Sequence, residues 1–290
     1  MRRFLLLPVL VCMALVPALA QDFDPALNAS GWAKVDRDGS CTFLDGAGKR
    51  LVNWMRDGTV LSQLSLEKLD FTPEMWVLDR YTNAWVVAGN VLQFVEKNGK
   101  PGSRIRLPGE VADLAWDAKG FVLSYRGPQA YIERRDFKNG SVMWSWGSKP
   151  GEERSAAELY PVVVADSGEV VVTRGASMML DLLDGLKGKP LAQASMLYKD
   201  APMPDLVLGG GNRRALGWWI GKPVAFAAVG GSQAGFAKMN GLLLVRLDFS
   251  EGRADILPTG LTEDYRFIGV IENEAAFVAP KGGLVFVPIR

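Results

Sequence analysis

The sequence contains no histidine. That absence excludes every mechanism that needs an imidazole, including Ser-His-Asp triads, Cys-His dyads, and zinc or haem held by histidine. Charge of either sign is also not in excess, since 33 Lys and Arg face 32 Asp and Glu. Nucleic-acid binding through a basic surface stripe is therefore not expected. Cysteine is scarce as well, with Cys12 and Cys41 as the two in the chain.

Residues 1–20 have the features of a secretory signal peptide. Arg2 and Arg3 precede an apolar run, and Ala18-Leu19-Ala20 fits a small-residue cleavage site. We expect residues 21–290 to be exported, to a bacterial periplasm or outside the cell, with no membrane span; the alternative is an uncleaved anchor helix. Cleavage removes Cys12, so Cys41 either packs as a small apolar side chain or pairs with a partner chain.

The rest of the chain is predicted to be all-β. Short runs rich in Val, Leu, Phe, Trp and Tyr are bounded by Gly, Asp and Asn, and helical periodicity is almost absent. Two kinds of Asp–Gly turn alternate, exemplified by Asp117-Ala-Lys-Gly120 and Asp136-Phe-Lys-Asn-Gly140. In the second kind, the glycines at positions 99, 140, 188 and 252 are 41, 48 and 64 residues apart. Two turns in about 40–50 residues give four strands per repeat, which is the blade of a β-propeller.

A propeller of six blades follows from dividing the exported length by about 45 residues per blade, with five or seven left open. We predict a single domain over residues 21–290, in which the N-terminal segment supplies the last strand of the last blade. Residues Gly221–Gly241 are predicted to form an irregular insertion, because they are rich in Gly and Ala and coincide with the longest repeat spacing. The predicted blades are 32–65, 75–107, 111–147, 160–197, 205–258 and 265–290.

One repeat resembles those of the quinoprotein (PQQ-like) β-propellers. Asp136, Gly140 and Trp144 match the pattern Asp-x-x-Thr-Gly-x-x-x-Trp, with Asn139 in place of the Thr. A resemblance to NHL-type six-bladed propellers is equally arguable. Either resemblance implies four-stranded blades, and the first implies an exported bacterial protein in which Trp144 is structural. Neither implies a quinone cofactor, and smaller non-enzymatic relatives act as scaffolds.

Two arginines are candidates for an anion site. Ligands of propellers usually meet the mouth formed by the loops between second and third strands and by the blade connections, and the Asp–Gly turns lie on the opposite face. Arg126 and Arg174 end equivalent second strands, and Lys281 follows the corresponding strand of the last blade. Two guanidinium groups there suit a carboxylate, sulfate or phosphate. Alternatively, each arginine pairs with a nearby acid, for which the candidates are Glu110, Asp113, Asp200 and Asp205.

Acidic residues in the blade connections are candidates for a calcium site. Carboxylates with Asn and carbonyl oxygens could complete the 6–8 ligands that Ca²⁺ takes. No linear calcium loop is present, so the alternative is ordinary solvated acids. The candidate ligands are Asp113, Asp200, Asp205, Glu263 and Asp264.

Trp218 and Trp219 are the remaining candidates for ligand binding. Adjacent residues of a strand point to opposite faces, so the two rings occupy different surroundings. They lie beside the predicted insertion, and long irregular loops are often functional. One of them is predicted to bind a partner at the surface, and the alternative is that both fill spaces between blades.

The sequence favours an exported, non-catalytic propeller that binds a protein, peptide or glycan and needs no cofactor. A second hypothesis is a hydrolase or lactonase-like enzyme that uses carboxylate-bound Ca²⁺ in the central channel. A third is a sensor of small anions that uses Arg126 and Arg174.

Overall fold

A computed structural model describes residues 31–126, 131–147, 159, 161–174, 177–199, 201–202, 215–230 and 241–289. All regular structure in these ranges is β-strand, arranged in six sheets that form a six-bladed β-propeller. The predicted fold class and blade number are confirmed. The same ranges contain no helix with the length and hydropathy of a membrane span. The predicted signal peptide and the segment expected to complete the last blade lie outside them.

The first three blades account for eleven strands. Blade 1 contains β1 (Cys41–Leu44), β2 (Arg50–Trp54) and β3 (Val60–Ser65). Blade 2 contains β4 (Met75–Leu78), β5 (Ala84–Ala88), β6 (Val91–Val95) and β7 (Pro101–Arg106). Blade 3 contains β8 (Val111–Asp117), β9 (Gly120–Tyr125), β10 (Tyr131–Asp136) and β11 (Val142–Gly147). Within each sheet, consecutive strands pair antiparallel.

The other three blades follow the same order. Blade 4 contains β12 (Val162–Val164), β13 (Val170–Arg174), β14 (Ser177–Leu183) and β15 (Pro190–Ser195). A short hairpin, β16 (Leu197–Tyr198) and β17 (Ala201–Pro202), joins the outer edge of blade 5. Blade 5 itself contains β18 (Leu216–Trp218), β19 (Val224–Gly230), β20 (Leu242–Asp248) and β21 (Arg253–Pro258). Blade 6 contains β22 (Arg266–Ile271), β23 (Glu274–Val278) and β24 (Leu284–Pro288).

The predicted insertion at Gly221–Gly241 is wrong for its first half. Val224–Gly230 is a regular strand that pairs with β20 over its whole length. Ala225 and Ala227 are fully buried there, in the interface between blades 4 and 5. A run of small residues resembles a loop in sequence, but the close approach of two sheets selects small side chains at these positions. Residues 231–240, the rest of the predicted insertion, lie outside the described ranges.

Six hydrophobic clusters hold the ring together, one in each interface between neighbouring blades. The cluster that joins blade 6 to blade 1 contains Cys41, Phe43 and Trp54 on one side and Ile268 and Phe286 on the other. Packing of side chains therefore closes the ring within the described residues. Cys41 is buried there as a small apolar side chain, and burial raises the pKa of its thiol. Closure buries the apolar faces of the first and last blades against each other.

The Asp–Gly turns have the geometry that their sequence predicts. Gly99, Gly140, Gly188 and Gly252 all have positive φ, a conformation that glycine adopts without steric cost. The aspartates accept hydrogen bonds from the turn backbone, as Asp136 Oδ1 does from Lys138 N at 2.7 Å. Trp144, the tryptophan of the PQQ-like pattern, is buried and donates through Nε1 to Gly185 O of blade 4 at 2.9 Å. Its predicted structural role is confirmed.

Candidate functional site

The central channel is lined in part by residues 33–37, which we call the axial segment. Val35 forms an antiparallel bridge with Cys41 of β1, so the segment acts as the innermost strand of blade 1. The Val35 N–H also donates to Ile268 O of blade 6 at 2.9 Å. Arg37 Nη2 donates to Ala165 O of blade 4 at 2.8 Å. One short segment thus connects three blades around the axis.

Lys34 crosses the channel and ends in a buried ion pair. Its Nζ lies 2.8 Å from Asp113 Oδ2 on β8 and donates to Val162 O on β12 at 3.0 Å. The same carboxylate oxygen accepts Val162 N at 2.8 Å. The lysine is 7% exposed, and burial lowers its pKa. Because both charges have partners, this cluster serves to join blades 3 and 4 to the axial segment.

What remains of the channel is a small cavity on the side of the turns between first and second strands. It has a volume of about 60 Å³, room for about two water molecules at 30 Å³ each. Trp116 and Trp218 line it together with Asp36, Arg37 and Asp166. A substrate of ordinary size cannot enter a space this small.

Asp36 is the acid most affected by this environment. Burial raises the pKa of its carboxyl, against the opposing effects of hydrogen bonds from the Arg37 backbone and the Trp116 side chain. An acid whose pKa is higher in the folded state than in the unfolded chain gives stability that is present at low pH. That contribution is lost as the pH rises from about 4, the value for an unfolded Asp, through the raised pKa.

The unfolding free energy of the unmodified protein should therefore decrease as the pH rises above about 4. We expect Asp36→Asn to abolish this decrease. Urea unfolding over a series of pH values measures the difference. Asp57→Asn is the control, because a backbone hydrogen bond from Thr59 lowers the pKa of the Asp57 carboxyl and its contribution is lost as the pH falls. Parallel curves for Asp36→Asn and the unmodified protein would contradict the assignment.

The largest cleft detected among the described residues lies on the same face of the propeller. Its volume is about 1010 Å³. The turns and strand ends of blades 1, 2 and 3 line it, including residues 36–38, 78–83, 116–119 and 136–138. These are the connections between first and second and between third and fourth strands. The sequence alone predicts these connections to be structural turns and the ligand face to lie on the opposite side.

Blade 2 supplies the most exposed part of this cleft. Tyr81 is 59% exposed, and Leu61 of blade 1 is 50% exposed. The Arg80 guanidinium carbon lies 4.7 Å from the centre of the Tyr81 ring, a cation–π contact. Thr82 has φ of 64°, a left-handed conformation that is strained for a β-branched residue. Such strain persists where surrounding contacts impose it, and it is common at binding sites.

Hydrogen bonding divides the charged groups of the cleft into two sets. The carboxylates accept bonds from their own turns, as Asp79 does from Tyr81 N at 2.8 Å and Asn83 N at 2.9 Å. The side chains of Lys119 and Lys138 have no ion-pair partner among the described residues. The carboxylate oxygens of the cleft are thus largely occupied by the backbone of their own turns, whereas the ammonium groups of the two lysines remain available to a ligand.

The two candidate arginines have acidic partners on the opposite face. Arg126 Nε lies 3.2 Å from Glu110 Oε1, a pair in which both side chains are partly exposed. Arg174 makes two bonds to Asp181, from Nε to Oδ2 at 2.5 Å and from Nη2 to Oδ1 at 3.0 Å. Glu110 was among the expected partners, and Asp181 was not. Both guanidinium groups are engaged with carboxylates, that of Arg126 in the connection before β8 and that of Arg174 within blade 4.

The candidate calcium ligands do not form a cluster within the described residues. Asp113 is buried against Lys34, and Asp264 accepts a hydrogen bond from Thr262 in its own turn. Glu263 also has an interaction partner of its own. Asp200 and Asp205 lie outside the described ranges. Within those ranges, no group of three or more Asp, Glu or Cys side chains is placed to hold a metal ion.

Trp218 and Trp219 occupy different surroundings, as their adjacent positions indicate. Trp218 is half-buried beside the channel cavity, with its ring centre 5.8 Å from that of Phe249. Trp219 is buried in the interface between blades 5 and 6, against Phe226. Lys222 Nζ lies 3.8 Å from the centre of the Trp219 ring. Neither ring stands exposed at the surface.

The residues that form the cleft were not selected from the sequence. Arg80-Tyr81-Thr82 stands in a turn between two apolar runs, Met75–Leu78 and Ala84–Val87. A tyrosine and a β-branched residue at the tip of a tight turn depart from the Gly, Asn and Asp usual there. That departure was the available clue. No comparable clue indicated the role of Lys34, because its partner Asp113 is 79 residues away in the sequence.

Comparisons with solved structures identify other propellers. Virginiamycin B lyase from Staphylococcus aureus is similar, with a TM-score of 0.56 and 11% identity over 89% of this chain and 80% of that one. The Pan2 WD40 domain of Neurospora crassa matches with a TM-score of 0.54 and 11% identity over 90% of this chain and 76% of that one. A protein of Bacteroides fragilis described as exported matches with a TM-score of 0.55 and 9% identity over 94% of this chain and 94% of that one. At these identities the likeness shows the fold alone. No family profile and no curated protein sequence matches this chain.

Proposed function

We propose that this protein is an exported, non-catalytic propeller whose cleft across blades 1, 2 and 3 binds a segment of a protein or peptide partner. The cleft itself is the observation on which the proposal rests. Its volume of about 1010 Å³ is at the upper limit for small-molecule pockets, about 300–1,000 Å³. It also extends across the turns of three neighbouring blades. These dimensions suit an extended polypeptide better than an enclosed substrate.

The composition of the cleft supports a polypeptide partner. Tyr81 and Leu61 offer exposed apolar surface, and Arg80 and Lys138 stand beside them. Aromatic residues and arginine are the types that contribute most to binding at protein interfaces. The strained Thr82 turn holds Arg80 and Tyr81 in one arrangement, so less conformational freedom is lost on binding.

Export and superfamily membership are parts of the same proposal. The signal-like residues 1–20 and the similarity to a Bacteroides fragilis protein described as exported support a location outside the cytoplasm. The match of Asp136, Gly140 and Trp144 to the PQQ-like repeat supports a place in that propeller superfamily. The absence of a cofactor belongs to this proposal as well.

One observation favours the enzyme hypothesis, and a chemical argument speaks against a lyase of the kind found among the similar structures. Two of the similar structures are of virginiamycin B lyase, one of them a catalytically inactive histidine-to-alanine variant with quinupristin. That lyase therefore depends on a histidine, and this chain has none. The channel cavity of about 60 Å³ also leaves no room for such a substrate.

A display library of random peptides, selected on the purified protein, tests the proposal. We expect Tyr81→Ala and Leu61→Asp to weaken binding of the selected peptides by about tenfold or more, since interface residues of this kind contribute over about 1.4 kcal/mol. The controls are Tyr198→Ala and Leu197→Asp, which alter a partly buried tyrosine and an exposed leucine outside the cleft, where Lys199 lies 5.1 Å from the Tyr198 ring centre. Peptides that bind all four variants equally would refute the cleft, and so would a library from which no peptide is selected.

A further inference from the structure

A second pocket opens on the same face, between blades 3 and 4, with a volume of about 120 Å³. We call it the Arg134 pocket. The backbones of Gly168 and Gly185 form part of its wall. The side chains that line it are mainly charged or polar: Asp117, Lys119, Arg134, Ser167, Glu169 and Asp184.

Arg134 is the unusual member of this set. It is 1% exposed, among the most deeply buried large side chains of the protein. Its Nη2 donates to Asp117 Oδ1 at 2.6 Å. Its Nε and Nη1 are buried and have no acceptor among the described residues. Buried donors without acceptors are uncommon in native proteins and usually indicate a missing partner.

The charges around the pocket restrict what that partner is. Asp117 already neutralises Arg134. Asp184 accepts Leu186 N at 2.9 Å and Lys187 N at 2.7 Å, and these bonds lower the pKa of its carboxyl, so it stays ionised. With Glu169, three carboxylates face two cations across the pocket, and a further negative charge is disfavoured there.

A hydroxyl group satisfies both kinds of neighbour. It accepts a hydrogen bond from Arg134 and donates one to a carboxylate without adding a charge to the pocket. We propose that the Arg134 pocket binds hydroxyl groups of a neutral carbohydrate. At about 30 Å³ per water molecule, the volume equals about four waters. The pocket therefore holds one side of a terminal sugar, and the rest of the molecule stays outside.

Ligand-observed NMR with neutral monosaccharides, together with the side-chain Nε–H signal of Arg134, tests this directly. The probes are glucose, mannose and N-acetylglucosamine, with acetate and inorganic phosphate at equal ionic strength as the anion arm. We expect at least one sugar to show saturation transfer and to shift the Arg134 signal, and neither anion to do so. A chitin or mannan oligosaccharide, compared with its monosaccharide, distinguishes the end of a glycan chain from a free sugar.

Three variants separate the pocket from general effects on folding. Ser167→Phe, on an exposed turn, fills the pocket without altering the pair of Arg134 and Asp117, and should weaken sugar binding by about tenfold or more. Arg104→Met removes an exposed pair with Asp70, in which Nη1 lies 2.9 Å from Oδ2, and should leave binding unchanged. Leu61→Asp, which tests the cleft, should also leave it unchanged. Sugar effects that persist in Ser167→Phe, a response to anions instead of sugars, or no response to any sugar would each overturn the proposal.

Discussion

Replacing Lys34 by methionine is expected to lower the free energy of unfolding by about 3–5 kcal/mol, because it leaves the Asp113 carboxylate buried without its counter-charge. The pair is 2.8 Å apart and both side chains are buried. The lysine also holds the axial segment to blade 4 through Val162 O. Urea unfolding at neutral pH, followed by tryptophan fluorescence, measures the loss.

A double variant separates the effect of the buried charge on stability from the effect of lost packing. Lys34→Met combined with Asp113→Asn removes both charges and keeps an oxygen that can accept Val162 N. We expect it to recover most of the lost stability, since pairs of buried charges can be replaced by neutral groups at little cost. Lys34→Met alone should also become more stable as the pH falls, because protonation neutralises the unpaired carboxyl. A double variant as unstable as the single one would show that the charge is not the cause.

The consequence for function concerns the channel, where the axial segment and four inner strands converge on a cavity of about 60 Å³. The proposed binding sites lie instead on the face of the propeller, where the cleft and the Arg134 pocket share Asp117 and Lys119. A partner that carries both a polypeptide segment and a sugar could meet the two sites together, and linked binding would exceed either affinity alone.

The fold could be predicted because its determinants are local in sequence. An Asp–Gly turn such as Asp136–Gly140 specifies a tight hairpin whatever surrounds it, and its recurrence gives the blade length. The predicted and observed limits of blade 3, residues 111–147, are the same. The error at Val224–Gly230 arose where burial between sheets, and not local preference, selected the residues.

The candidate site could not be predicted in the same way, because it depends on contacts between distant residues. Lys34 and Val162 are 128 positions apart, and the cleft combines turns from three blades. The partner of Arg174 was within reach of sequence reasoning. Val172 pairs with Asp181, and residues two apart on a strand share a face, so Arg174 and Asp181 are diagonal neighbours. Asp181 lies on a strand and not in a blade connection, so acids of the connections alone do not include the partner of Arg174.

The turn glycines give the second large prediction, for which the chain supplies a matched pair. Gly188 and Gly252 both have φ of 64°. A Cβ at Gly188 would lie 2.5 Å from two atoms of the Trp144 ring in the neighbouring blade, whereas a Cβ at Gly252 meets nothing within 4 Å. Gly252→Ala therefore measures backbone strain alone, about 1–2 kcal/mol.

Gly188→Ala should cost the same backbone strain and a further ~1–3 kcal/mol, because the tryptophan must move or the two blades must separate. Thermal unfolding of both variants gives the difference. Gly140→Ala provides a second case, since its Cβ would lie 2.6 Å from the Trp85 ring. If Gly188→Ala and Gly252→Ala lost equal stability, contact with the tryptophan would not be what requires glycine in these turns, and the spacing of Asp, Gly and Trp would reflect the hairpin conformation alone.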